Sequence, residues 1–245
     1  MAVNKLNDKL VLIFDFDNTI IEANSDTVLL NLLDLEIKQE LISDYKRNSK
    51  WTQLMRSVFL ELQKHNVKRS DMEDVLLSIL YVNGMPDLFE KYKDCSLYIV
   101  SDANSWIIDF FLAHKEINRA GYFKKIYTNL CLFSDDSKEI IDIIPYHNPV
   151  QKFCNRCPEN MCKGSIVSEI IGKNADCDTI CYFGDGKGDF CACCNISTKD
   201  KKSYAFIRKR FSLELYKNEI EKNSVEVILW DDARDIMNSL QSLGY

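Results

Sequence analysis

Short apolar runs separated by longer amphipathic stretches restrict the fold of this 245-residue chain more than any other feature. The first run, Val11-Leu12-Ile13-Phe14, is continuously apolar, which is typical of a strand covered on both faces. Such runs in alternation with helical patterns predict an α/β fold with a doubly wound, mostly parallel sheet. The predicted strands are Leu10–Phe14, Leu97–Ser101, Lys125–Thr128, Thr179–Phe183, Tyr204–Ile207 and Val225–Trp230.

The segment between the first two predicted strands has a helical pattern and no strand pattern. A capping box at Ser70–Glu73 predicts the start of a helix that runs through Leu80. Since the segment is too long for an ordinary crossover, we predict a helical cap at residues 25–95, inserted into an α/β core formed by residues 1–24 and 96–245. Apolar side chains at helical spacing within it are those of Trp51, Leu54, Met55, Val58, Phe59 and Leu62.

The stretch from Asn129 to Lys163 is irregular and contains three prolines. Two short apolar runs in it, Cys131–Phe133 and Ile140–Ile144, predict a hairpin.

Charge and apolar content exclude some classes of protein. The chain has 31 basic and 37 acidic residues, a net charge of -6, which argues against binding to nucleic acid or to an anionic membrane. We therefore expect the basic residues at Lys199–Lys202 and Arg208–Arg210 to solvate the ends of helices or strands. The apolar run Leu10–Phe14 is too short to cross a bilayer or to form a signal-peptide core. We expect a cytoplasmic protein with reduced cysteines.

An acidic turn follows the first strand directly. Asp15 and Asp17 lie where ligands bind in open α/β sheets, at the carboxyl end of a strand. Two carboxylates this close repel each other unless a cation or a shared proton intervenes, and Mg²⁺ prefers such ligands. The alternative is a helix N-cap with an additional aspartate.

Three further motifs follow strands or begin helices. Gly184–Asp189 carries two acids and three glycines after a predicted strand, Ser101 ends another strand, and Lys163 begins a predicted helix. Acids hold a cation, whereas a hydroxyl and an ammonium hold an anion. The combination points to a phosphate group and its metal ion.

With these motifs in this order, the sequence resembles the haloacid-dehalogenase superfamily of phosphatases. Within that superfamily, it resembles more closely still the group of phosphoethanolamine/phosphocholine phosphatases and pyridoxal phosphate phosphatases. The segments that carry this closer likeness are FDFDNTIIEANSD at 14–26, SDAN at 101–104, His147, and CNRCPENMCK at 154–163. The resemblance covers most of the chain. It implies a Rossmann-like core, a helical cap and Mg²⁺-dependent hydrolysis of a small phosphorylated metabolite.

The resemblance also implies roles for the acidic residues. Asp15 would attack phosphorus to give an aspartyl-phosphate, and Asp17 would act as general acid and base. Mg²⁺ would be held by the Asp15 carboxylate, the Asp17 backbone carbonyl and Asp185. Ser101 and Lys163 would bind the phosphoryl oxygens. Asp189 would orient Lys163 or a water bound to the metal.

Two more acids bear on the substrate. In the resembled group, carboxylates at the positions of Asp26 and Asp102 suit a cationic head group such as ethanolamine or choline. Alternatively, Asp26 caps a helix beginning at Thr27, and Asp102 caps the helix after the second strand. Pyridoxal 5'-phosphate would favour a wider aromatic pocket, for which Tyr45, Trp51 and Phe59 are available. The helical spacing of Trp51 and Phe59 favours a place in the core for both.

The cysteines allow a second metal site. Cys154, Cys157 and Cys162 with His147 form a possible Cys₃His set for zinc just before Lys163, although reduced structural thiols are the favoured interpretation. Core packing is the interpretation for Cys191, Cys193 and Cys194.

Two other functions stay open from the sequence. A phosphotransferase or a phosphonatase would use the same scaffold, and a catalytically inactive, zinc-binding interaction module would carry a vestigial acidic turn. The sequence gives no indication of the oligomeric state.

Overall fold

A seven-stranded sheet with the strand order β4-β3-β2-β1-β5-β6-β7 forms the centre of the protein. The computed structural model describes residues 9–114, 120–135 and 139–245. Neighbouring strands are parallel except for β3 and β4, which are antiparallel. The strands are β1 (Leu10–Phe14), β2 (Ser96–Asn104), β3 (Phe123–Phe133), β4 (Ile140–Ile144), β5 (Thr179–Gly184), β6 (Lys202–Arg208) and β7 (Glu226–Trp230).

Helices connect the strands and cover both faces of the sheet. They are α1 (Ser25–Leu30), α2 (Leu35–Asn48), α3 (Trp51–Lys64), α4 (Arg69–Ser78), α5 (Met85–Lys91), α6 (Ser105–His114), α7 (Lys163–Lys173), α8 (Phe190–Asn195), α9 (Lys217–Glu221) and α10 (Ala233–Ser242). Short 3₁₀ turns lie at Ala120–Tyr122, Lys187–Asp189 and Ser212–Tyr216.

Burial on both faces explains the continuous apolar strands. Leu12 and Phe14 of β1 pack into the core on one face, whereas Val11 and Ile13 pack into a second core on the other. Phe14 also stacks on Phe183 of the neighbouring strand at 4.3 Å between ring centroids. The doubly wound, mostly parallel fold is confirmed.

All six predicted strands are found, and β1 matches its predicted bounds. β2 extends beyond its predicted end to Asn104, and β3 is much longer than predicted, from Phe123 to Phe133. The hairpin is confirmed as well, with Leu130 opposite Ile144 and Phe133 opposite Ile140. Its first arm is the end of β3 rather than a separate strand, because β3 runs without a break from Phe123 to Phe133.

Five helices, α1 to α5, lie between β1 and β2. The apolar face predicted for α3 is buried except for Trp51, which is half-buried. The helix predicted from Ser70 through Leu80 is present as α4, but it begins at Arg69 and ends at Ser78, so Ser70 is not its N-cap. Instead, the Asp71 carboxylate accepts a hydrogen bond from the backbone N–H of Lys68. Within the predicted cap bounds, α5 packs against the sheet, since its Phe89 meets Phe14 edge-on at 5.4 Å. The cap and its bounds stay a prediction.

Among the described residues, no helix combines the length and the apolar character needed to cross a bilayer.

Candidate active site

The site lies at the carboxyl ends of three adjacent strands. Phe14, the last residue of β1, is in register with Ile99 of β2 and with Phe183 of β5. The residues just beyond these positions are Asp15, Ser101 and Asp185, so the parallel register brings the sequence-predicted motifs to one edge of the sheet.

Lys163 joins this edge from the first position of α7. Its ammonium lies 2.7 Å from Asp15 Oδ2 and 2.8 Å from Asp189 Oδ1, and all three side chains are buried. Burial alone works to lower the pKa of Lys163, but the two carboxylates raise it well above its usual value. The lysine is therefore held as a cation inside the site.

Asp189 is fixed by several donors besides that ammonium. It accepts hydrogen bonds from the Tyr182 hydroxyl at 2.7 Å and from the backbone N–H groups of Asp185 and Gly186 at 3.2 and 3.0 Å. A Cβ on Gly184 would lie 2.6 Å from Asp189 Cγ, so only glycine permits this approach. Tyr182 was missed by sequence reasoning, because it reads as one more apolar residue of a buried strand.

Three carboxylates converge at the centre of the site, and we call Asp15, Asp185 and Asp189 the carboxylate cluster. One oxygen from each lies within 4.8 Å of the others, and all three residues are buried. Burial, followed by the charge of Asp189, raises the pKa of Asp15 well above its usual value and that of Asp185 to about 7. Three buried carboxylates face one ammonium, so this oxygen-rich set fits a hard divalent cation such as Mg²⁺.

Asp17 occupies a different position from this cluster. Its Oδ1 accepts a hydrogen bond at 3.0 Å from the backbone N–H of Ser25, the first residue of α1. Burial raises the pKa of Asp17 to about 6, against the lowering effect of that hydrogen bond. A carboxyl group with this pKa can give and take a proton near neutral pH.

The prediction for Arg208, that it solvates the end of a helix or strand, is wrong. Arg208 is buried and donates to the Asn18 carbonyl oxygen at 2.7 Å and to Glu22 Oε2 at 2.5 Å. Arg208 therefore ties the acidic turn to the end of β6. The basic run in the sequence gave no sign of this, since the partners are nearly 200 residues away.

Asp26 is buried and does not cap a helix. The N-cap of α1 is Asn24, whose side chain accepts the Thr27 N–H at 2.8 Å. Asp26 Oδ2 accepts a hydrogen bond from Trp51 Nε1 at 2.9 Å, and its Oδ1 has no hydrogen-bond partner among the described residues. Burial and the charges of Asp17 and Asp102 raise the pKa of Asp26 well above its usual value.

The capping alternative is also wrong for Asp102. The helix after β2 begins at Ser105, and the Asn104 side chain accepts the N–H of Ile107 at 3.2 Å. Asp102 itself is half-buried on the β2 end, close enough to Asp26 to act on its charge. Ser101 is fully buried beside it.

Tyr45, Trp51 and Phe59 of the insertion pack in or against the core, and one of them also contacts an acid of the site. Phe59 is buried and meets Trp106 at 5.9 Å, as expected for a core residue. Trp51 and Tyr45 are half-buried, pack against the core and meet edge-on at 5.4 Å. Trp51 also reaches Asp26 through its indole N–H.

The possible Cys₃His set has a different fourth member. The sulfurs that converge, which we call the cysteine cluster, are those of Cys154, Cys157, Cys162 and Cys191. His147 points elsewhere, with Nε2 3.3 Å from Ser165 Oγ, and burial lowers its pKa. Cys191 is buried, as expected of a core residue, and its sulfur also belongs to this cluster. Hydrogen bonds from the neighbouring thiols, Cys157 first, lower the pKa of Cys191 to about 6.

Comparison with known proteins agrees with this geometry. The family model described as Putative Phosphatase matches residues 10–243 of the chain. The chain belongs to this family of phosphatases. It is 32% identical to pyridoxal phosphate phosphatase PHOSPHO2 of Bos taurus, over 96% of this chain and 98% of that protein. It is 29% identical to the phosphoethanolamine/phosphocholine phosphatase of Gallus gallus, over 96% of this chain and 89% of that protein.

A solved structure shows the same fold. The substrate-bound complex of phosphoserine phosphatase superposes with a TM-score of 0.58 at 14% identity, over 94% of this chain and 97% of that chain. The chain is thus a phosphatase of the haloacid-dehalogenase type, a phosphoric monoester hydrolase.

Proposed function

We propose that this phosphatase hydrolyses a small phosphomonoester whose organic part carries a positively charged nitrogen, and that it does so with Mg²⁺ and an aspartyl-phosphate intermediate. The observation that carries the reaction is the enclosure of Lys163 between Asp15 and Asp189 at the carboxyl ends of the central strands. We infer the substrate class from the buried carboxylate of Asp26, which has a hydrogen-bond partner for only one of its two oxygens among the described residues.

In the first half of the reaction, a carboxylate oxygen of Asp15 forms a bond to phosphorus while the bond from phosphorus to the leaving oxygen breaks. Asp17 gives its proton to that leaving oxygen. In the second half, Asp17 takes a proton from a water molecule, which attacks the aspartyl-phosphate and frees Asp15. The pKa of about 6 for Asp17 is suited to both transfers.

The remaining groups hold the phosphoryl oxygens and balance charge. Lys163 supplies a buried positive charge, which Asp189 holds in place, and Ser101 supplies a hydroxyl. Asp15 and Asp185, with the backbone carbonyl of Asp17, would hold Mg²⁺. When bound, the ion would neutralise charge that develops on the phosphoryl group.

The substrate class follows from the second set of acids. The charge of Asp102 acts on both Asp17 and Asp26, and the charge of Asp17 acts on Asp26. Asp17 and Asp26 are buried, so little water screens these charges. A cationic group placed beside Asp26 would give its free oxygen a partner and relieve this repulsion. The two relatives named above act on pyridoxal phosphate and on phosphoethanolamine or phosphocholine. Each of these substrates has a nitrogen that can be positively charged.

The helical insertion would complete the pocket as a cap. Trp51 of α3 and Asp26 of α1 are joined by a hydrogen bond, so the substrate-facing acid is held by an aromatic residue of the insertion. Closure of such a cap excludes bulk water and strengthens charge recognition inside the pocket.

The test uses pairs of substrates that differ in charge and little in shape. Phosphate release is measured with Mg²⁺ and with EDTA for phosphoethanolamine against 2-hydroxyethyl phosphate, and for phosphocholine against 3,3-dimethylbutyl phosphate. Pyridoxal 5'-phosphate is measured alongside. We expect Mg²⁺-dependent turnover and a higher kcat/KM for the cationic member of each pair.

Asp26→Asn sharpens this test, because the amide still accepts the hydrogen bond from Trp51 but has no charge. We expect its kcat/KM for phosphoethanolamine to fall about 10- to 100-fold, the loss of one charge-assisted contact, with a smaller fall for the neutral partner. Equal losses on both substrates would contradict the charge-recognition role of Asp26. Transfer of phosphate to an added alcohol, without release to water, would favour the phosphotransferase alternative.

A further inference from the structure

The cysteine cluster has the dimensions of a tetrahedral metal site. Cys191 Sγ lies 3.9 Å from Cys154 Sγ and 4.0 Å from Cys162 Sγ, and all four sulfurs lie within 4.8 Å of one another. Zinc–sulfur bonds of about 2.3 Å in a tetrahedron require sulfurs about 3.8 Å apart. The four cysteines are free thiols. Their separations therefore match thiolates arranged around one ion.

Hydrogen-bond donors are directed at the sulfurs. The backbone N–H groups of Gly164 and Ser165, in the first turn of α7, lie beside the Cys191 and Cys162 thiols respectively. Asn195 Nδ2 lies 3.6 Å from Cys191 Sγ. Donors of this kind orient thiolate ligands and stabilise their charge, so the surroundings of the cluster suit a metal-bound state.

The loop that carries three of the cysteines is built around a buried amide. Residues 145–162 contain no helix or strand, yet Gln151 is buried and its Nε2 donates to the carbonyls of Cys154, Cys157 and Pro158 at 3.0 to 3.1 Å. Its Oε1 accepts the N–H of Cys154 at 2.9 Å. This network turns the two CxxC thiols toward α8. A metal ion would supply the stability that such a loop lacks from secondary structure.

We propose that one structural Zn²⁺ ion is bound by four thiolates, those of Cys154, Cys157, Cys162 and Cys191. Binding releases the remaining thiol protons to solvent and involves no redox change. Four sulfur ligands leave no open coordination position, so the ion is structural rather than catalytic. The site does not depend on the proposed reaction or on the proposed substrate.

The position of the ion would link it to the active site. Cys162 immediately precedes Lys163, and Cys191 is two residues after Asp189. The ion would thus join the two segments whose side chains form the 2.8 Å Lys163–Asp189 pair. Zinc would position the phosphate-binding lysine without touching the substrate.

The first experiment measures metal content by elemental analysis after purification without chelators. We expect about one zinc per chain in the wild type. Cys157→Ser and Cys191→Ser should reduce zinc to background, whereas Cys194→Ser, in the same helix as Cys191 but outside the cluster, should retain it. Asp185→Asn should also retain zinc, which separates this site from the carboxylate cluster.

A second measurement keeps the proposal testable if the cysteine variants fail to fold. Zinc is released from the wild type with a mercurial reagent, the thiols are regenerated under reducing conditions, and Co²⁺ is added alone. We expect the visible bands and the thiolate charge-transfer bands of tetrahedral cobalt, followed by their loss when Zn²⁺ is added.

Three results would overturn the proposal. One is wild-type protein without zinc that also gives no cobalt–thiolate spectrum. Another is zinc that is lost in Asp185→Asn but retained in Cys191→Ser. The third is stoichiometric iron in place of zinc, which would refute the identity of the ion.

Discussion

Two clusters of like side chains flank the beginning of α7, and they are held in place in different ways. The carboxylate cluster lies just beyond β1 and β5, where the hydrogen-bonded sheet positions Asp15 and Asp185 and the Tyr182 hydroxyl donates to Asp189. The cysteine cluster draws three of its four members from a loop without regular structure. The sheet can therefore assemble the oxygen cluster without its ion, whereas we expect the sulfur cluster to need an ion to hold the loop.

The difference also concerns chemistry. The three buried carboxylates carry more negative charge than the single ammonium of Lys163 can neutralise. Such a set of oxygens suits a hard cation that keeps water and substrate as further ligands. Four thiolates suit a softer ion and fill its coordination. Lys163 lies between the two, paired with the carboxylates and adjacent in sequence to Cys162.

The largest effect is expected for a substitution that removes catalysis and leaves the fold intact. Asp15→Asn should lower kcat by about 10⁴-fold or more, because an amide cannot form the acyl-phosphate. Phosphate release checks this, and thermal unfolding and zinc content should remain close to wild type. If the variant also lost zinc, the two clusters would not be independent.

A smaller effect is expected where α7 packs on the cysteine cluster. A Cβ on Gly164 would lie 2.5 Å from Cys191 Sγ and 2.9 Å from the Cys191 carbonyl oxygen. We expect Gly164→Ala to lower the free energy of unfolding by about 1–3 kcal/mol through overpacking and to weaken zinc retention. Chemical denaturation and elemental analysis measure the two effects.

Gly172→Ala is the matched control, since it lies in the same helix with nothing within 4 Å of the added Cβ. Alanine there should stabilise the helix by about 0.5–1 kcal/mol. Equal destabilisation by both substitutions would show that the contact with Cys191 is not the cause.

The smallest effect concerns pH and the carboxylate cluster. The pKa of Asp185 is raised to about 7 in the folded protein. At pH values between its ordinary pKa and about 7, the folded protein therefore holds a proton on Asp185 that the unfolded chain has lost. Without Mg²⁺, this contribution to stability is present at low pH and is lost as the pH rises through about 7. Because Mg²⁺ competes with that proton, we expect it to raise Tm more at a pH of about 8 than at about 5.5.

Thermal unfolding with Mg²⁺ and with EDTA at both pH values checks this expectation. Asp185→Asn should remove most of the difference, whereas Cys194→Ser should leave it unchanged. A Mg²⁺ effect larger at the lower pH would contradict the competition.

The sequence alone determined the sheet and the main motifs at its edge. Continuous apolar runs such as Leu10–Phe14 must be buried on both faces, and parallel strands bring their carboxyl ends together. The positions of Asp15, Ser101 and Asp185 follow from these local patterns, because each residue is defined by its distance from the end of its own strand.

Only the tertiary structure decided which distant side chains meet. Cys191 joins a loop 29 to 37 residues away, Arg208 reaches the turn after β1, and Trp51 reaches Asp26. Contacts of this kind depend on how helices and loops pack, and no periodic pattern in the sequence records them. His147 lies close to the CxxC cysteines in sequence, yet its imidazole packs toward Ser165 in α7. Proximity along an irregular chain therefore does not determine which side chains share a site.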